Sequence, residues 1–573
     1  MKRNYFKTLL TAVSFFALFS CEDTDDPVIT GVVKTDDELL AFANGVYPPL
    51  QRLSSSYSFL LESTSESTIS FEDGEDADGP LVSRFETDLN NWYPTKIFNY
   101  LYVSIGEANR TLEKIDAIEK NEGDALVPES KFTPKALDLA KARVKFVRAL
   151  DYLYLTQLWG EVPLILSTKP TTAERTERKP IDEVYEQIVK DLKEAAQGLP
   201  EFDNIRSNPS KGAANAILAR AYLTWASKPL SQAEVATIAN TQNDPDPLLE
   251  SEWDADKLQQ AVEYADKVIS SGRYRLENDF ENNFGVRAEN FSEEHIFTIH
   301  HDGDNRGDAQ GNHQTHCPFT FRFDLKEDNH IGPADVTLLD RYEEGDKRKR
   351  FSITTELYNI DEEVNATPTA VTDYKKYDFT FPVTSPRYAK FIHRSPKFPE
   401  AAYGTQEGQP NNINRIEIRY AEVLLIKAEA LFFLGQVDAA KNIINELRER
   451  AFGEHFEHNN NKLTTLTQED LEKEWDLELV FEQKHWQNLV RWRKLVETVL
   501  TVKDFEYYKE DYKDGGTEIH IHEDARKTNY PFFAKIYKHL HAKEKNVSGK
   551  FYRFPIPKGL SGNDLGIAQN PGY

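Results

Sequence analysis

The chain has 573 residues, and its 95 acidic side chains outnumber its 69 lysines and arginines, giving a formal net charge of −26. Proteins that bind nucleic acid need a surplus of Lys and Arg, so this charge argues against that class. It argues more weakly against a strongly acidic polysaccharide as ligand, because a local basic patch can override the total. The 34 Phe, 26 Tyr and 7 Trp are enough to fill a core and leave rings for stacking on a ligand.

The N-terminus has the pattern of a bacterial export signal. A basic start precedes an apolar run over 9–19, which is too short to cross a bilayer because a spanning helix needs roughly 20 residues. The segment from Leu18 to Cys21 resembles a lipobox, in which the cysteine is diacylated. We therefore expect 1–20 to be a lipoprotein signal peptide and 21–35 a lipidated acidic tether. An ordinary signal peptide that contains a cysteine is the alternative.

Helical periodicity dominates the first half of the mature chain. The predicted helices are, in chain order, about 36–46, 97–118, 136–160, 181–198, 212–227 and 256–270. Pro48 and Pro49 are expected to end the first helix, and Gly160 to cap the third. Helices of this length joined by short turns indicate tetratricopeptide-like stacking, in which each pair buries its apolar face on the next.

The pattern changes in the second half. Over about 275–412 the helical period gives way to Gly, Asn, Asp, Pro and aromatic residues, which predicts a large irregular region. Helical patterns then return in three segments, about 415–435, 438–451 and 471–495. Gly435 is expected to form the turn between the first two of these helices. The prediction is a mainly α fold with one long irregular insertion.

Four separated blocks resemble the SusD/RagB family of outer-membrane nutrient-binding lipoproteins, in that family's order. The blocks are RALDYLYLTQLWGEVPLI (148–165), IRYAEVLLIKAEAL with NELRERA (418–431 and 445–451), LELVFEQKHWQNLVRW (477–492) and RFPIP with QNPGY (553–557 and 569–573). The resemblance covers essentially the whole mature chain. The prolines and the Asn-Pro-Gly turn of the last block indicate an irregular segment held against the protein body rather than a loose end.

The resemblance implies a single SusD-like domain over 36–573, with a tetratricopeptide-like scaffold at about 36–270 and 413–500 and a ligand-facing region at about 275–412. It implies a non-enzymatic lipoprotein of the outer membrane that faces the cell exterior. Such a protein captures oligosaccharide or polysaccharide and passes it to a SusC-like TonB-dependent transporter. Peptide or another nutrient on the same scaffold is the alternative cargo.

The charged residues of these blocks have a structural interpretation. They lie on helix faces, so we expect them to form buried or interhelical ion pairs rather than to act as catalysts. These residues are Arg148, Arg419, Glu429, Glu482 and Arg491.

Sugar rings present apolar faces edged by hydroxyls, so a glycan site needs aromatic rings beside polar side chains. One stretch with this combination precedes the second helix and contains Arg84, Asn91, Trp92 and Tyr93. Packing of Trp92 against the start of that helix is the competing interpretation. Further candidates lie in or beside the irregular region: Phe284, Phe291, His313, Phe319 and Phe321. The alternation of Phe319 and Phe321 is equally typical of a strand face packed on a core.

Other chemistry has less support. No pair of carboxylates is singled out for glycoside hydrolysis, although a secreted glycosidase remains a third reading. The histidines near His300 and His313 match no zinc spacing, and we expect no metal or other cofactor. The acidic loop over 72–78 is a possible calcium site, but it does not follow the EF-hand ligand order.

Overall fold

The computed structural model describes most of the chain from residue 33 onward. The described ranges are 33–70, 78–120, 132–284, 292–300, 341–352, 414–501, 541–561 and 566–573, with short strands at 331–333, 358–359, 369–370, 512–514 and 517–519. Most of the predicted irregular region and all of the predicted signal peptide lie outside these residues.

The fold is mainly α-helical, as the periodicity predicts. The described helices are α1 Asp36–Ala43, α2 Pro48–Ser63, α3 Asp78–Ser83, α4 Trp92–Lys120, α5 Pro134–Trp159, α6 Thr172–Thr176, α7 Ile181–Gly198, α8 Lys211–Ala226, α9 Gln232–Ile238, α10 Ala255–Ser270, α11 Lys347–Ser352, α12 Tyr420–Phe433, α13 Val437–Phe452, α14 Gln468–Glu478, α15 His485–Trp492 and α16 Leu495–Thr501.

The described strands form antiparallel pairs. They are β1 Thr68–Ser70 with β5 Ile331–Pro333, β2 Val162–Pro163 with β3 Arg178–Lys179, β4 His295–Ile299 with β8 Arg415–Arg419, β6 Tyr358–Asn359 with β7 Thr369–Ala370, and β9 Tyr512–Asp514 with β10 Thr517–Ile519.

Eight long helices pack in series. Along the chain, α2 packs on α4, α4 on α5, α5 on α7, α7 on α8, α8 on α10, α10 on α12 and α12 on α13. Each helix therefore buries its apolar stripe on the next one, which is the arrangement of a helical-repeat scaffold. One continuous hydrophobic core runs through these helices and reaches the C-terminal segment. The tetratricopeptide-like scaffold is thus the observed architecture.

Local capping explains where several helices begin and end. Thr133 caps α5, because its side chain accepts a hydrogen bond from the Ala136 amide, which satisfies one of the free N–H groups of the first turn. Gly160 ends the same helix at a φ of +76°, as expected for a C-terminal glycine. Gly435 separates α12 from α13 at a φ of +75°, so the predicted glycine turn is confirmed.

The first helix ends before Pro48, as predicted, but the prolines also begin α2, which was not predicted. Proline fits the first helical turn because its missing N–H is not needed there. Two predicted helix boundaries are wrong. The alternating residues 415–419 form β8, which pairs with β4, so the helix begins only at Tyr420. The helix predicted over 471–495 is divided into α14, α15 and the start of α16.

The division between α14 and α15 has a tertiary cause. Arg419 Nη2 donates to the carbonyl oxygen of Glu478 at 2.8 Å, and the Gln483 amide donates to Glu62 Oε1 at 2.7 Å. These contacts use backbone groups that a continuous helix would pair internally. Phe481 and Gln483 consequently adopt positive φ angles of 60° and 58°.

Candidate functional site

The buried charges of the family-like blocks form ion pairs, which confirms their structural interpretation. Arg148 pairs with Asp191 at 2.8 Å, and Arg491 pairs with Glu429 at 2.7 Å, in both cases with little solvent exposure. A buried pair of this kind holds two elements in register when its hydrogen bonds are complete.

Arg419 is the centre of the largest of these clusters. It bonds Glu294 at 2.9 Å, Glu478 at 2.7 Å and Glu482 at 2.8 Å, so it joins β4 and β8 to the α14–α15 junction. Burial opposes ionisation of Glu478, but Arg450 and Arg419 outweigh it and lower the pKa of that carboxyl. Because all three guanidinium nitrogens of Arg419 donate to buried acceptors, the cluster has the character of a structural core.

The C-terminal segment is held against the body, as predicted. Trp159 Nε1 donates to the Pro555 carbonyl at 2.9 Å, and Asn570 Nδ2 donates to the Phe554 carbonyl at 2.7 Å. Arg178 Nη2 donates to Asn570 Oδ1 at 2.6 Å. These bonds tie the last residues to the end of α5 and to β3.

Asn91 and Asp78 build the start of α4. The Tyr93 amide donates to Asn91 Oδ1 at 3.1 Å, so the Asn91 side chain caps the helix. Asn91 Nδ2 donates to the Asp78 carbonyl at 3.0 Å, and the Trp92 amide donates to Asp78 Oδ2 at 2.9 Å. The starts of α3 and α4 are therefore bonded to each other, and this fixes the backbone beneath Trp92.

Trp92 presents its ring to solvent. The side chain is 41% exposed, the largest exposure of any described aromatic residue of this size. It packs edge-to-face on Tyr93, with centroids 5.0 Å apart at 85°. Tyr93 is itself buried and stacked on Phe59 at 4.2 Å. Trp92 is thus supported by Tyr93 and exposed to solvent, which suits a stacking surface.

Lys96 adds a cation to this surface. Its Nζ lies 4.3 Å from the Trp92 ring centroid and 5.8 Å from that of Tyr100. The sequence reasoning did not include Lys96, although its spacing of four from Trp92 places both on one helix face. We call the group formed by Trp92, Tyr93, Lys96 and Tyr100 the Trp92 platform.

Arg84 lies in the loop that leads to the platform. Its Nε is 3.1 Å from Glu86 Oε2. Asn546 Nδ2 from the C-terminal region donates to the Arg84 carbonyl at 3.1 Å and to Glu86 Oε1 at 2.9 Å. The Lys558 amide also bonds the Leu89 carbonyl at 3.1 Å. The C-terminal segment therefore braces the loop that carries the candidate residues.

The remaining candidates do not join this group in the described structure. Phe284 is buried, with its ring 5.2 Å from that of Phe280 and 5.8 Å from the Arg419 guanidinium. This position suits packing around the ion-pair cluster and does not favour contact with a ligand. Five predicted functional residues lie outside the described residues: Cys21, Phe291, His313, Phe319 and Phe321.

Two kinds of feature are not found in the described part of the chain. It contains no group of three His, Cys, Asp or Glu side chains placed to hold a metal ion. None of its helices is both long and apolar enough to span a bilayer. The acidic loop considered for calcium lies outside the described residues except for Asp78, whose carboxylate bonds the Trp92 amide.

Comparison with known proteins places these observations in a family. Residues 253–573 match the model described as the SusD family, and residues 31–223 match a model described as starch-binding and associating with the outer membrane. SusD-like protein P2 from Formosa agariphila is 28% identical over 425 residues, which are 72% of this chain and 74% of that protein.

Solved structures share the fold. A SusD homologue from Bacteroides thetaiotaomicron aligns over 96% of this chain and 99% of its own, with a TM-score of 0.68 and 20% identity. Surface glycan-binding protein A from the same species, solved with laminarihexaose, aligns over 94% of this chain and 100% of its own, with a TM-score of 0.61 and 17% identity. Because the SusD family model matches residues 253–573, more than half of the sequence, this chain belongs to the SusD family.

Proposed function

We propose that this protein is a non-catalytic lipoprotein of the outer membrane that captures an oligosaccharide or polysaccharide at the cell surface. The observation that carries the proposal is the Trp92 platform, an exposed ring supported by a buried tyrosine with a lysine ammonium over it. An exposed aromatic ring suits the apolar face of a sugar, and Lys96 supplies hydrogen-bond donors for the sugar hydroxyls.

A β-glucan is the first ligand to test, because a structural relative was solved with laminarihexaose. The purified protein is run through native gels with and without laminarin, beside Trp92→Ala. Leu249→Ala is the matched control, since Leu249 is an apolar side chain that is 62% exposed in a different part of the chain. Retardation of the wild type and of Leu249→Ala, but less of Trp92→Ala, supports the platform.

The expected weakening is roughly two- to tenfold, because an aromatic contact of this kind contributes about 0.5–1.5 kcal/mol. Equal retardation of all three proteins would place the glycan site away from Trp92. If laminarin has no effect, the same gels with other polysaccharides decide between another glycan and the peptide alternative. If the protein releases reducing ends from a bound glycan, it is a glycosidase and the non-catalytic proposal is wrong.

The anchor and the transporter partner have their own tests. Lipid attachment at Cys21 predicts labelling by palmitate that Cys21→Ser abolishes, and protease treatment of whole cells reports whether the protein faces outward. Delivery to a SusC-like TonB-dependent transporter predicts that a tagged copy brings down one barrel protein from detergent-solubilised outer membranes. If no barrel protein is recovered, the proposed transfer to a transporter is wrong, and glycan capture is tested separately by the gels.

A further inference from the structure

A pocket lies where α5, α7, α8 and α15 meet the C-terminal segment. It encloses about 450 Å³ of empty space, including the solvent at its mouth. Its wall includes Tyr185, Lys228, Trp486, Arg493 and Arg553. None of its lining residues belongs to the Trp92 platform. A proposal about this pocket is therefore independent of the proposed glycan site.

The charge of this wall is opposite to that of the protein. Among the described residues, four cationic side chains and no carboxylate line it, in a chain of formal net charge −26. The cations are Lys228, Arg491, Arg493 and Arg553. Arg491 is neutralised by Glu429 at 2.7 Å. The other three form no ion pair with any described residue, so the pocket keeps a local positive charge.

The two remaining guanidinium groups bond carbonyl oxygens, which do not neutralise them. Arg553 Nη2 donates to the Leu230 carbonyl at 2.7 Å, and Arg493 Nη1 donates to the Asp246 carbonyl at 3.0 Å. Glu161 and Glu234 lie close enough to attract Arg553, and Glu234 also attracts Arg493. Both carboxylates, however, have other partners. Glu234 accepts from the Ser231 amide and hydroxyl at 2.7 and 2.8 Å, and Glu161 accepts from the Gln232 amide at 2.9 Å and lies 3.7 Å from Arg178.

One buried donor of the wall, Trp486 Nε1, lacks a partner within the described part of the chain. Arg553 Nε also lacks one, but it lies against Gly160, where a Cβ would be 2.6 Å away. A buried donor without an acceptor is costly, and in a native protein it calls for an explanation such as a bound water or ion. Lys228 and Arg493 at the rim have φ angles of +48° and +60° because they end α8 and α15 with a left-handed turn.

We propose that this pocket binds a small oxyanion, either a sulfate or a carboxylate group. Such a group accepts several hydrogen bonds at once and carries the charge that the wall lacks. Arg493 and Lys228 at the rim would contact it first, with the indole N–H of Trp486 as an inner donor and Arg553 as a buried positive charge behind them. The ligand class is defined by this chemistry, and sulfate and carboxylate share it.

Isothermal titration calorimetry of the purified protein tests the proposal. The probes are sodium sulfate, sodium glucuronate and glucose, at constant ionic strength set with sodium chloride, since exposed charges are screened by salt. The variants are Arg493→Gln and Lys228→Gln. They remove charges at the rim and leave the C-terminal segment with the buried Arg553 unchanged. Lys135→Gln is the control, because it removes the same charge from an exposed position at the start of α5.

We expect saturable binding of one equivalent of sulfate or glucuronate and none of glucose. Arg493→Gln should weaken it at least about tenfold, because a charge-assisted hydrogen bond is lost, and Lys135→Gln should not change it. Binding of sulfate alone identifies a tetrahedral anion, and binding of glucuronate alone identifies a carboxylate. Absence of saturable binding, or equal affinity in Arg493→Gln and Lys135→Gln, overturns the proposal.

Discussion

Arg491 and Glu429 form a two-point ion pair in the interior, with Nε to Oε1 at 2.9 Å and Nη2 to Oε2 at 2.7 Å. Trp492 Nε1 donates to the same Oε1 at 3.1 Å. The pair joins α12 to α15, two helices separated in sequence by the whole of α13 and α14. Both side chains come from family-like blocks that are separate in the sequence and adjacent in the fold.

Removing one partner of this pair should destabilise the protein strongly. Glu429→Gln leaves the Arg491 charge buried without its counter-ion, and the expected loss is about 3–5 kcal/mol of unfolding free energy. Urea denaturation followed by circular dichroism measures it. Glu469→Gln, an acidic residue in the first turn of α14, is the control for loss of one negative charge. A loss below 1 kcal/mol would show that the pair contributes little.

Lys543 should make stability depend on pH in the alkaline range. It is buried and donates to the carbonyl oxygens of Ser63 and Ser65. Burial lowers its pKa to about 7, although Glu66 opposes this shift. Between that value and the ordinary 10.5 the unfolded chain binds more protons than the folded one, so stability rises with pH.

The measurement compares unfolding free energies at pH 7.5 and pH 9.5 for the wild type and Lys543→Met. The variant keeps the aliphatic stem and removes the titrating group, so its stability should rise less with pH than that of the wild type. An unchanged pH dependence in the variant would show that Lys543 ionises normally.

Asp151 should have the opposite dependence. It is fully buried in α5. Burial raises its pKa well above the usual range, with only partial opposition from Ser104. The folded state therefore holds a proton that the unfolded state releases, and stability falls as pH rises from about 4 through the raised pKa.

Asp151→Asn removes this titration and should stabilise the protein at pH 8 relative to the wild type, by roughly 1.4 kcal/mol for each unit of pKa shift. Asp138→Asn, on the exposed side of the same helix, should have little effect. Thermal unfolding at pH 5 and pH 8 separates these expectations. A variant less stable than the wild type at both pH values would mean that Asp151 is ionised and paired.

Gly160→Ala should loosen the docked C-terminal segment. A Cβ at this position would lie 2.6 Å from Arg553 Nε, and the φ of +76° is one that alanine rarely adopts. The expected cost is about 1–3 kcal/mol, from strain and displacement of Arg553. Gly45→Ala is the control, because a Cβ there would meet nothing within 4 Å. Faster proteolysis of the C-terminal segment in Gly160→Ala alone is the expected readout.

Asn91→Ala should impair the platform through its backbone. Loss of the cap at the start of α4 is expected to cost about 0.5–2 kcal/mol of stability. If the Trp92 platform binds glycan, retardation by laminarin should also fall, because the backbone at Trp92 is no longer held. Asn90→Ala should retain both properties, because the Asn90 side chain bonds Asp88 and no other described residue. If stability falls but retardation by laminarin is unchanged, the Asn91 cap is not needed for glycan binding.

Much of the scaffold could be predicted from local patterns. The periodic apolar residues of α5, α7, α8 and α10 mark their helices to within a few residues, because each helix pairs its own backbone. The clustering of Asn91, Trp92 and Tyr93 was predictable because the three are consecutive. Lys96 was missed, although its helical spacing from Trp92 could have shown it. The hydrogen bond from Asn546 to the Arg84 carbonyl could not be predicted, because the two residues are far apart in sequence and no local pattern connects them.

By itself the sequence determined the helical class, the repeat-like pairing and the family-like blocks, since these depend on contacts between residues close along the chain. The tertiary structure alone decided that 415–419 is a strand, because a strand needs a distant partner and β4 supplies it. It likewise decided the break after Glu478 and the burial of Phe284, both of which follow from where Arg419 lies. A charged side chain from a distant element can bond backbone groups that a helix would otherwise pair internally. The apolar periodicity of the local sequence does not predict such a contact.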